Sequence, residues 1–266
     1  MTGCVPAGGA GRPDRSGAEP TPTAPNSNPP AARTDGGPTP RTSTVSVGGI
    51  TLHISSPQAA NVQADVAGLG TRTVTMSLIP GGSAELTLDS SGELDVDPDG
   101  SITVLDSGGT PVAALSPPAP AGDGTGDTPR IDVIDTDVTH ARLELDDRPV
   151  RLTADGTTEG PGDAAPVPFT FVVGTEALES ATWGENEGGR SLAVDPADWA
   201  RHAGEAGLRL VRAQLVAVAP EAGSETMGHQ LVCHGVGAPE KPTWNLEPWR
   251  PDVGLILTAT AHCNPV

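Results

Sequence analysis

The sequence predicts a mainly β protein built from antiparallel sheets, with an α+β C-terminal part that carries two short helices. Segments that alternate apolar and polar residues, or are rich in β-branched residues, recur between residues 45 and 154. Turns rich in Asp, Gly, Ser and Pro separate these segments, a pattern typical of antiparallel meanders. Helix-start signals appear only in the last third of the chain, at Asp195 and Ser224.

The composition is acidic and poor in large side chains. The chain of 266 residues has a net charge of −19, and it contains two Phe, four Trp and no Tyr. An acidic surface repels phosphate backbones, so a nucleic-acid partner is not expected. No apolar run reaches the roughly 18 residues typical of a transmembrane helix. Contact with a membrane is therefore expected through a lipid anchor only.

The N-terminal residues predict that anchor. Met1-Thr2-Gly3-Cys4 resembles the last part of a bacterial lipobox, and the rest of such a signal would lie upstream of Met1. Residues 5–44 are rich in Pro, Gly and Thr and predict a disordered tether. Residues 1–44 are thus interpreted as lipobox remnant and tether, which predicts an extracytoplasmic protein held at the cell membrane by lipid on Cys4. The alternative is an ordinary disordered tail with an incidental Cys.

Residues 45–154 are predicted to form an acidic antiparallel β region, and residues 155–166 a linker. The linker prediction rests on a cluster of Gly, Pro and acidic residues, which interrupt regular structure. The predicted strands of the β region are 44–47, 50–54, 72–79, 85–88, 93–96, 102–105 and 111–115, with two or three more between 131 and 153.

One turn in the β region resembles an EF-hand calcium loop. The first interpretation is a hard-cation site with oxygen ligands, and the second is a hairpin whose turn matches by chance. The residues on both sides of the turn alternate between apolar and polar, as in paired strands, and they lack the spacing of a helix. The hairpin is therefore favoured, and no metal or other cofactor is predicted. The residues of the weaker calcium hypothesis are Asp95, Asp97, Asp99 and Asp106.

Residues 167–266 are predicted to form a compact C-terminal domain. A short helix is predicted from Asp195, with Pro196 at its first position and Gly204 at its end, and a second over about 225–235, capped by Ser224. Three Pro between positions 241 and 251 predict extended or turn-like structure. The predicted strands are 169–173, 177–183, 191–194, 208–218 and 253–261.

Cys233 and Cys263 predict a disulfide, because two Cys in one domain of an exported protein usually pair. The alternative is a zinc site that adds His234 and His262. Adjacent residues point apart, and the usual spacing of zinc ligands is missing. The disulfide is therefore the favoured prediction.

The last hundred residues also carry a family resemblance. The residues concerned are Met227, Gln230-Leu231, Cys233-His234, Lys241, Trp244 to Pro251 and Cys263-Asn264-Pro265, with Trp183, Leu192, Pro196, Trp199 and Arg201 upstream. On these residues, about 167–266 resembles the actinobacterial domain of unknown function family numbered 2599. The resemblance implies a secreted or envelope-attached module and transfers no activity.

The same segment offers candidate residues for two classes of function. The candidates for acid–base and oxyanion-stabilising groups of an exported hydrolase or toxin-like enzyme are His229, His234, Lys241, Glu247 and Arg250. The structural alternative is an ion pair between Glu247 and Arg250 and a packed His234.

The sequence contains no nucleophile elbow, metalloprotease helix or phosphate-binding loop. We therefore favour a non-enzymatic binding or interaction module with an envelope protein or glycan as its partner, and leave the enzyme hypothesis open. Its candidate binding residues are Trp244, Asn245 and Trp249.

Overall fold

The computed structural model describes residues 39–57, 61–64, 70–121, 130–146 and 165–266. All of them lie in one compact unit, Pro38–Val266. Cys4, residues 5–38 of the predicted tether and most of the predicted linker lie outside the described residues. The predicted end of the tether at residue 44 is wrong, because the strand Arg41–Val47 already begins before it. None of the helices described in these ranges has the length and apolar character needed to cross a membrane.

The described residues form mostly antiparallel sheets with four helices, which confirms the predicted fold class. The strands are Arg41–Val47 (β1), Ile50–Ser56 (β2), Asn61–Ala64 (β3), Thr71–Leu78 (β4), Ser83–Leu88 (β5), Glu93–Val96 (β6), Ile102–Leu105 (β7), Pro111–Leu115 (β8), Ala119–Pro120 (β9), Ile131–Asp137 (β10), His140–Leu145 (β11), Val167–Gly174 (β12), Leu178–Asn186 (β13), Gly189–Pro196 (β14) and Trp244–Leu246 (β15). The helices are Asp198–Arg201 (α1), Gly204–Val218 (α2), Glu225–Gly237 (α3) and Leu255–Thr260 (α4), with a 3₁₀ turn at Pro220–Gly223.

Two large sheets enclose the first hydrophobic core. One sheet has the order β1-β2-β5-β11-β10, and the other has the order β3-β4-β12-β8-β7-β6, with β9 added to β12. Alternating residues of both sheets point into the shared core, as expected for a β-sandwich. The core includes Val45, Leu52, Ile54, Leu86 and Leu143 from the first sheet and Val74, Met76, Ile102, Phe169 and Phe171 from the second.

Strand β12 belongs to this sandwich, although the sequence analysis placed it at the start of the C-terminal domain. It pairs with β4 over its full length and with β8 at its end. The reason is its alternation, which directs Phe169, Phe171 and Val173 into the sandwich core. Both Phe residues of the chain thus lie in the sandwich core, and the second core draws its buried residues from the chain after this strand and from Ala114 of β8.

The second hydrophobic core lies between the three-stranded sheet β13-β14-β15 and the helices α2 and α3. Trp244 on β15 is its largest fully buried side chain. Leu192, Leu210 and Leu231 pack into the same core from β14, α2 and α3. This core supports the C-terminal segment in which the candidate site residues lie.

Helix α2 corrects the prediction of a strand over 208–218. The apolar run resembles a strand in composition, but its buried residues recur at the spacing of a helix face: Leu210, Val211 and Leu215, preceded by Ala206. Gln214 lies on the same face of the helix, accepts hydrogen bonds from the backbone of Ala177 and Leu178, and donates one to the carbonyl of Thr175. Burial against the rest of the fold therefore makes this segment a helix rather than a strand.

The boundaries around α1 also differ from the prediction. The helix is only four residues long, and its N-cap is Ala197 rather than Asp195. The Asp195 carboxylate instead accepts a hydrogen bond from Arg201 at 2.8 Å. Gly204, predicted to end the helix, begins α2 in a left-handed conformation, with φ of +70°.

The residues of the calcium hypothesis form the hairpin β6–β7 and the turns on either side of β7. Asp99 accepts from the backbone N–H of Glu205 at 2.7 Å, where α2 begins. Asp97 is almost fully buried and accepts from Thr103 and from Arg209, which also pairs with Asp95. The hairpin interpretation is thus the one observed, and these carboxylates join the sandwich to α2. Asp106 accepts from the backbone N–H groups of the next turn.

Candidate functional site

The most exposed apolar surface of the C-terminal segment lies on α4 and at the end of α3. Leu255, Ile256 and Leu257 are consecutive residues of α4, with exposed fractions of 40%, 81% and 58%. Val236 near the end of α3 is 75% exposed. Exposed apolar side chains that lie together on a folded protein make that surface a candidate for binding.

A groove runs beside this surface and encloses about 490 Å³. This volume falls within the roughly 300–1,000 Å³ typical of sites for small molecules. The sandwich contributes no residue to its lining. We call it the α3–α4 groove, and it is lined by Val232, Cys233, Val236, Gly237, Ala238, Lys241, Leu255, Ala259, His262 and Cys263.

The predicted disulfide between Cys233 and Cys263 is present and lines the groove. The two Cα atoms are 5.5 Å apart, and both residues are nearly buried. The zinc alternative is wrong, because the disulfide engages both sulfur atoms. Within the described ranges, no cluster of three or more His, Cys, Asp or Glu side chains is arranged to hold a metal ion.

The chain reaches the disulfide through a tight ending of α4. The N–H of Cys263 donates to the carbonyl of Thr258 at 2.9 Å, and the N–H of His262 donates to Ala259 at 3.0 Å. These two bonds are the pattern of a Schellman motif, with His262 at the left-handed position usually taken by Gly. This ending turns Cys263 back toward α3, and it leaves His262 exposed beside the groove.

Helix α4 corrects the prediction of a last strand over 253–261. Gly254 precedes it with φ of +77°, a conformation that favours Gly and redirects the chain into the helix. Only Thr258 of the six helix residues is buried. A central strand would have buried alternate residues on a sheet, whereas α4 leaves its apolar side chains at the groove and in solvent.

Two exposed basic side chains, Lys241 and His262, lie at what we call the mouth of the groove. Lys241 is the only Lys of the chain, and within the part that the structure describes neither residue forms an ion pair. The backbone of Lys241 is fixed, because its carbonyl accepts a hydrogen bond from Arg201 at 2.7 Å. Arg201 also binds the carbonyls of Pro239 and Pro242 on either side.

His234, a residue of the enzyme hypothesis, is buried beneath the surface. Its Nε2 donates to the backbone carbonyl of Asn245 at 3.1 Å, and its Nδ1 lies buried without a hydrogen-bond partner among the described residues. Burial lowers the pKa of His234 below its ordinary value, and the positive charge of Lys241 acts in the same direction. The ring is therefore held neutral, and its partner is a carbonyl rather than the carboxylate that orients a catalytic His.

Glu247 and Arg250 are also buried and in contact with each other. Asn186 donates to the second carboxylate oxygen of Glu247 at 3.0 Å. Arg250 further donates to Glu187 at 2.5 Å and to the carbonyl of Pro265 at 3.1 Å. The pair thus joins the β13–β14 turn, the segment after β15 and the C-terminus, which is a structural arrangement.

The three candidate binding residues have different positions. Trp244 is fully buried in the second core, and the carbonyl of Asn245 is bound by His234. Trp249 is 45% exposed, with its ring packed against Gly189 and the Arg250 guanidinium 4.6 Å from its centre. Trp249 is therefore the candidate with a large exposed side chain. It lies outside the lining of the α3–α4 groove.

Sequence reasoning missed the groove itself. A signal for it was available, because Val232 and Val236 are four residues apart in α3, as are Leu255 and Ala259 in α4. Such pairs lie on the same face of a helix. Their meaning depends on interpreting 255–260 as a helix, and the apolar composition of that segment suggested a strand.

The elements that build the groove coincide with a family match. Residues 178–266 match the family described as "Protein of unknown function (DUF2599)". This confirms the resemblance found in the sequence. The matched region starts at β13, so it contains the disulfide, the groove and all of the second core except Ala114 and Ala177, and it excludes the sandwich strand β12. No curated protein and no solved structure matches the chain. The DUF2599 region is thus a structural unit whose description carries no activity.

Proposed function

We propose that this protein is an extracytoplasmic lipoprotein that acts as a non-enzymatic binding module, with the α3–α4 groove of its DUF2599 region as the binding surface. The observation that carries the proposal is the groove of about 490 Å³, lined mainly by apolar residues and open beside an exposed apolar helix. Leaving such a surface in water is unfavourable, and a ligand or partner that covers it gains the corresponding free energy.

The polar cluster supports the same proposal. An acid–base residue must reach its substrate, whereas His234, Glu247 and Arg250 are buried and bound to the protein itself. The alternative of an exported hydrolase would need an accessible His beside a carboxylate, and His234 lacks both features. His229 is partly exposed, and its Nδ1 lies 3.0 Å from the Asp252 carboxylate, so this pair is the remaining acid–base candidate of that alternative. The disulfide supports export, because such bonds persist in oxidising compartments.

We expect the neutral apolar fluorophore phenylnaphthylamine to bind the full chain saturably at the groove. Val236→Asp places a charge in the groove lining and should abolish this binding. Val218→Asp is the matched control, since Val218 is a similarly exposed Val at the end of α2, outside the groove lining. The measurement is fluorescence titration of both variants. Equal binding by the two variants would show that the groove is not the binding surface.

Anchoring is tested separately, in cells. When produced from its native locus, the parent protein should fractionate with membranes, and Cys4→Ser should move it to the soluble fraction. The expectation rests on Met1-Thr2-Gly3-Cys4, since a lipobox Cys is the attachment point of the lipid. Membrane partitioning that survives Cys4→Ser would rule out lipid attachment at this residue.

A further inference from the structure

We infer that the α3–α4 groove binds a single-chain anionic amphiphile, with the acyl chain in the groove and the acidic head group at Lys241 and His262. The inference rests on the proposed function and names the ligand class for the same surface. It combines three features: the apolar lining, the position of the two basic residues, and the charge of the rest of the chain.

The lining fits an acyl chain. Val232, Val236, Leu255 and Ala259 present aliphatic groups from two helices, and the disulfide lies between them. Carboxylates are missing from this lining. A flexible hydrocarbon chain can cover such a surface without leaving polar groups unpaired, and each methylene that it buries strengthens binding by about fourfold.

The mouth fits an acidic head group. The chain has a net charge of −19, yet the exposed polar side chains that line the groove are Lys241 and His262. Other basic residues around the second core, such as Arg190 and Arg209, are engaged with carboxylates. Lys241 and His262 form no ion pair with any described residue, and the neighbouring Glu240 lies within ion-pair distance of His202. An anionic ligand would supply the missing partner.

A membrane surface fits these observations less well than a single amphiphile. Ile256, the most exposed apolar residue of α4, does not line the groove. A chain with a net charge of −19 is also repelled by an anionic bilayer surface. A single amphiphile carries one acidic group and places it next to the two basic side chains, whereas a bilayer presents many negative charges to the acidic remainder of the chain.

The test uses the full chain with dansyl-undecanoic acid and its methyl ester, which differ mainly in the charge of the head group. We expect the acid to bind at one molecule per chain and more tightly than the ester. Lys241→Gln should weaken binding of the acid by about three- to fivefold at low salt and leave binding of the ester unchanged. Ala259→Trp should abolish binding of both by filling the groove, whereas Ile256→Ser, on the same helix but outside the lining, should have no effect.

The outcomes separate the two proposals. If acid and ester bind equally and Lys241→Gln changes neither, the anionic ligand class is wrong while the groove remains a binding surface. If neither probe binds, and phenylnaphthylamine binding is equal in Val236→Asp and Val218→Asp, both proposals fail. If Ile256→Ser weakens binding and Ala259→Trp does not, the site is the outer face of α4 rather than the groove. Val236→Asp provides a second way to block the groove should Ala259→Trp fail to fold.

Discussion

Replacing Cys233 with Ser should lower the free energy of unfolding by about 3–4 kcal/mol and abolish binding to the α3–α4 groove. The disulfide closes a loop of 30 residues, and cross-links of this length restrict the unfolded chain substantially on the entropic account. It also holds α4 in place. This helix has six residues, buries only Thr258, and is far shorter than helices that are stable alone.

Without the bond, we expect α4 to detach while the sandwich and the rest of the second core stay folded. The groove would then lose Leu255, Ala259 and His262 from its lining. Urea unfolding measures the free energy of unfolding, and phenylnaphthylamine titration measures binding at the groove. Cys263→Ser and the double variant should match Cys233→Ser, because each removes the same bond. A single-Cys variant that keeps both its urea midpoint and its fluorophore binding would contradict this account.

The sandwich was predictable because its signal is local. In Thr71–Leu78, Val74, Met76 and Leu78 alternate with polar residues, and a strand with one buried face requires this pattern. The same pattern marked β12 as a strand. Its membership of the sandwich could not be inferred, because pairing with β4 joins residues about a hundred positions apart.

The helices of the second core were harder to predict. The segment that forms α2 is rich in Val and Leu, which suggested a strand, and only its burial on the three-stranded sheet selects the helix. The apolar residues of α4 suggested a core strand because exposure is not visible in composition. A sequence indicates that Leu255 and Leu257 are apolar, but it does not indicate that they stay in solvent.

The same limit applies to the site. Sequence reasoning directed attention to Glu247 and Arg250 because charged residues near His and Trp resemble a catalytic cluster. Their burial is a property of the fold, in which the β13–β14 turn and the C-terminus cover them. The disulfide was predictable because chemistry and compartment limit what two Cys can do.

Removing the Arg250 side chain should destabilise the protein by about 3–5 kcal/mol, because it leaves the buried Glu247 carboxylate without its counter-charge. In Arg250→Leu, Asn186 would remain as a donor to that carboxylate, and the contacts of Arg250 with Glu187 and Pro265 would be lost. Urea unfolding of the variant against the parent gives the measurement.

The control is the double variant Glu247→Leu/Arg250→Leu, in which both charges are gone. It should be more stable than Arg250→Leu alone, since a buried apolar pair lacks the penalty of an unpaired charge. A catalytic role for these residues predicts a different result, namely variants that fold with nearly unchanged stability and lose an activity. A loss of stability below about 1 kcal/mol in Arg250→Leu would therefore contradict the structural role, and it would return Glu247 and Arg250 to the list of candidate functional residues.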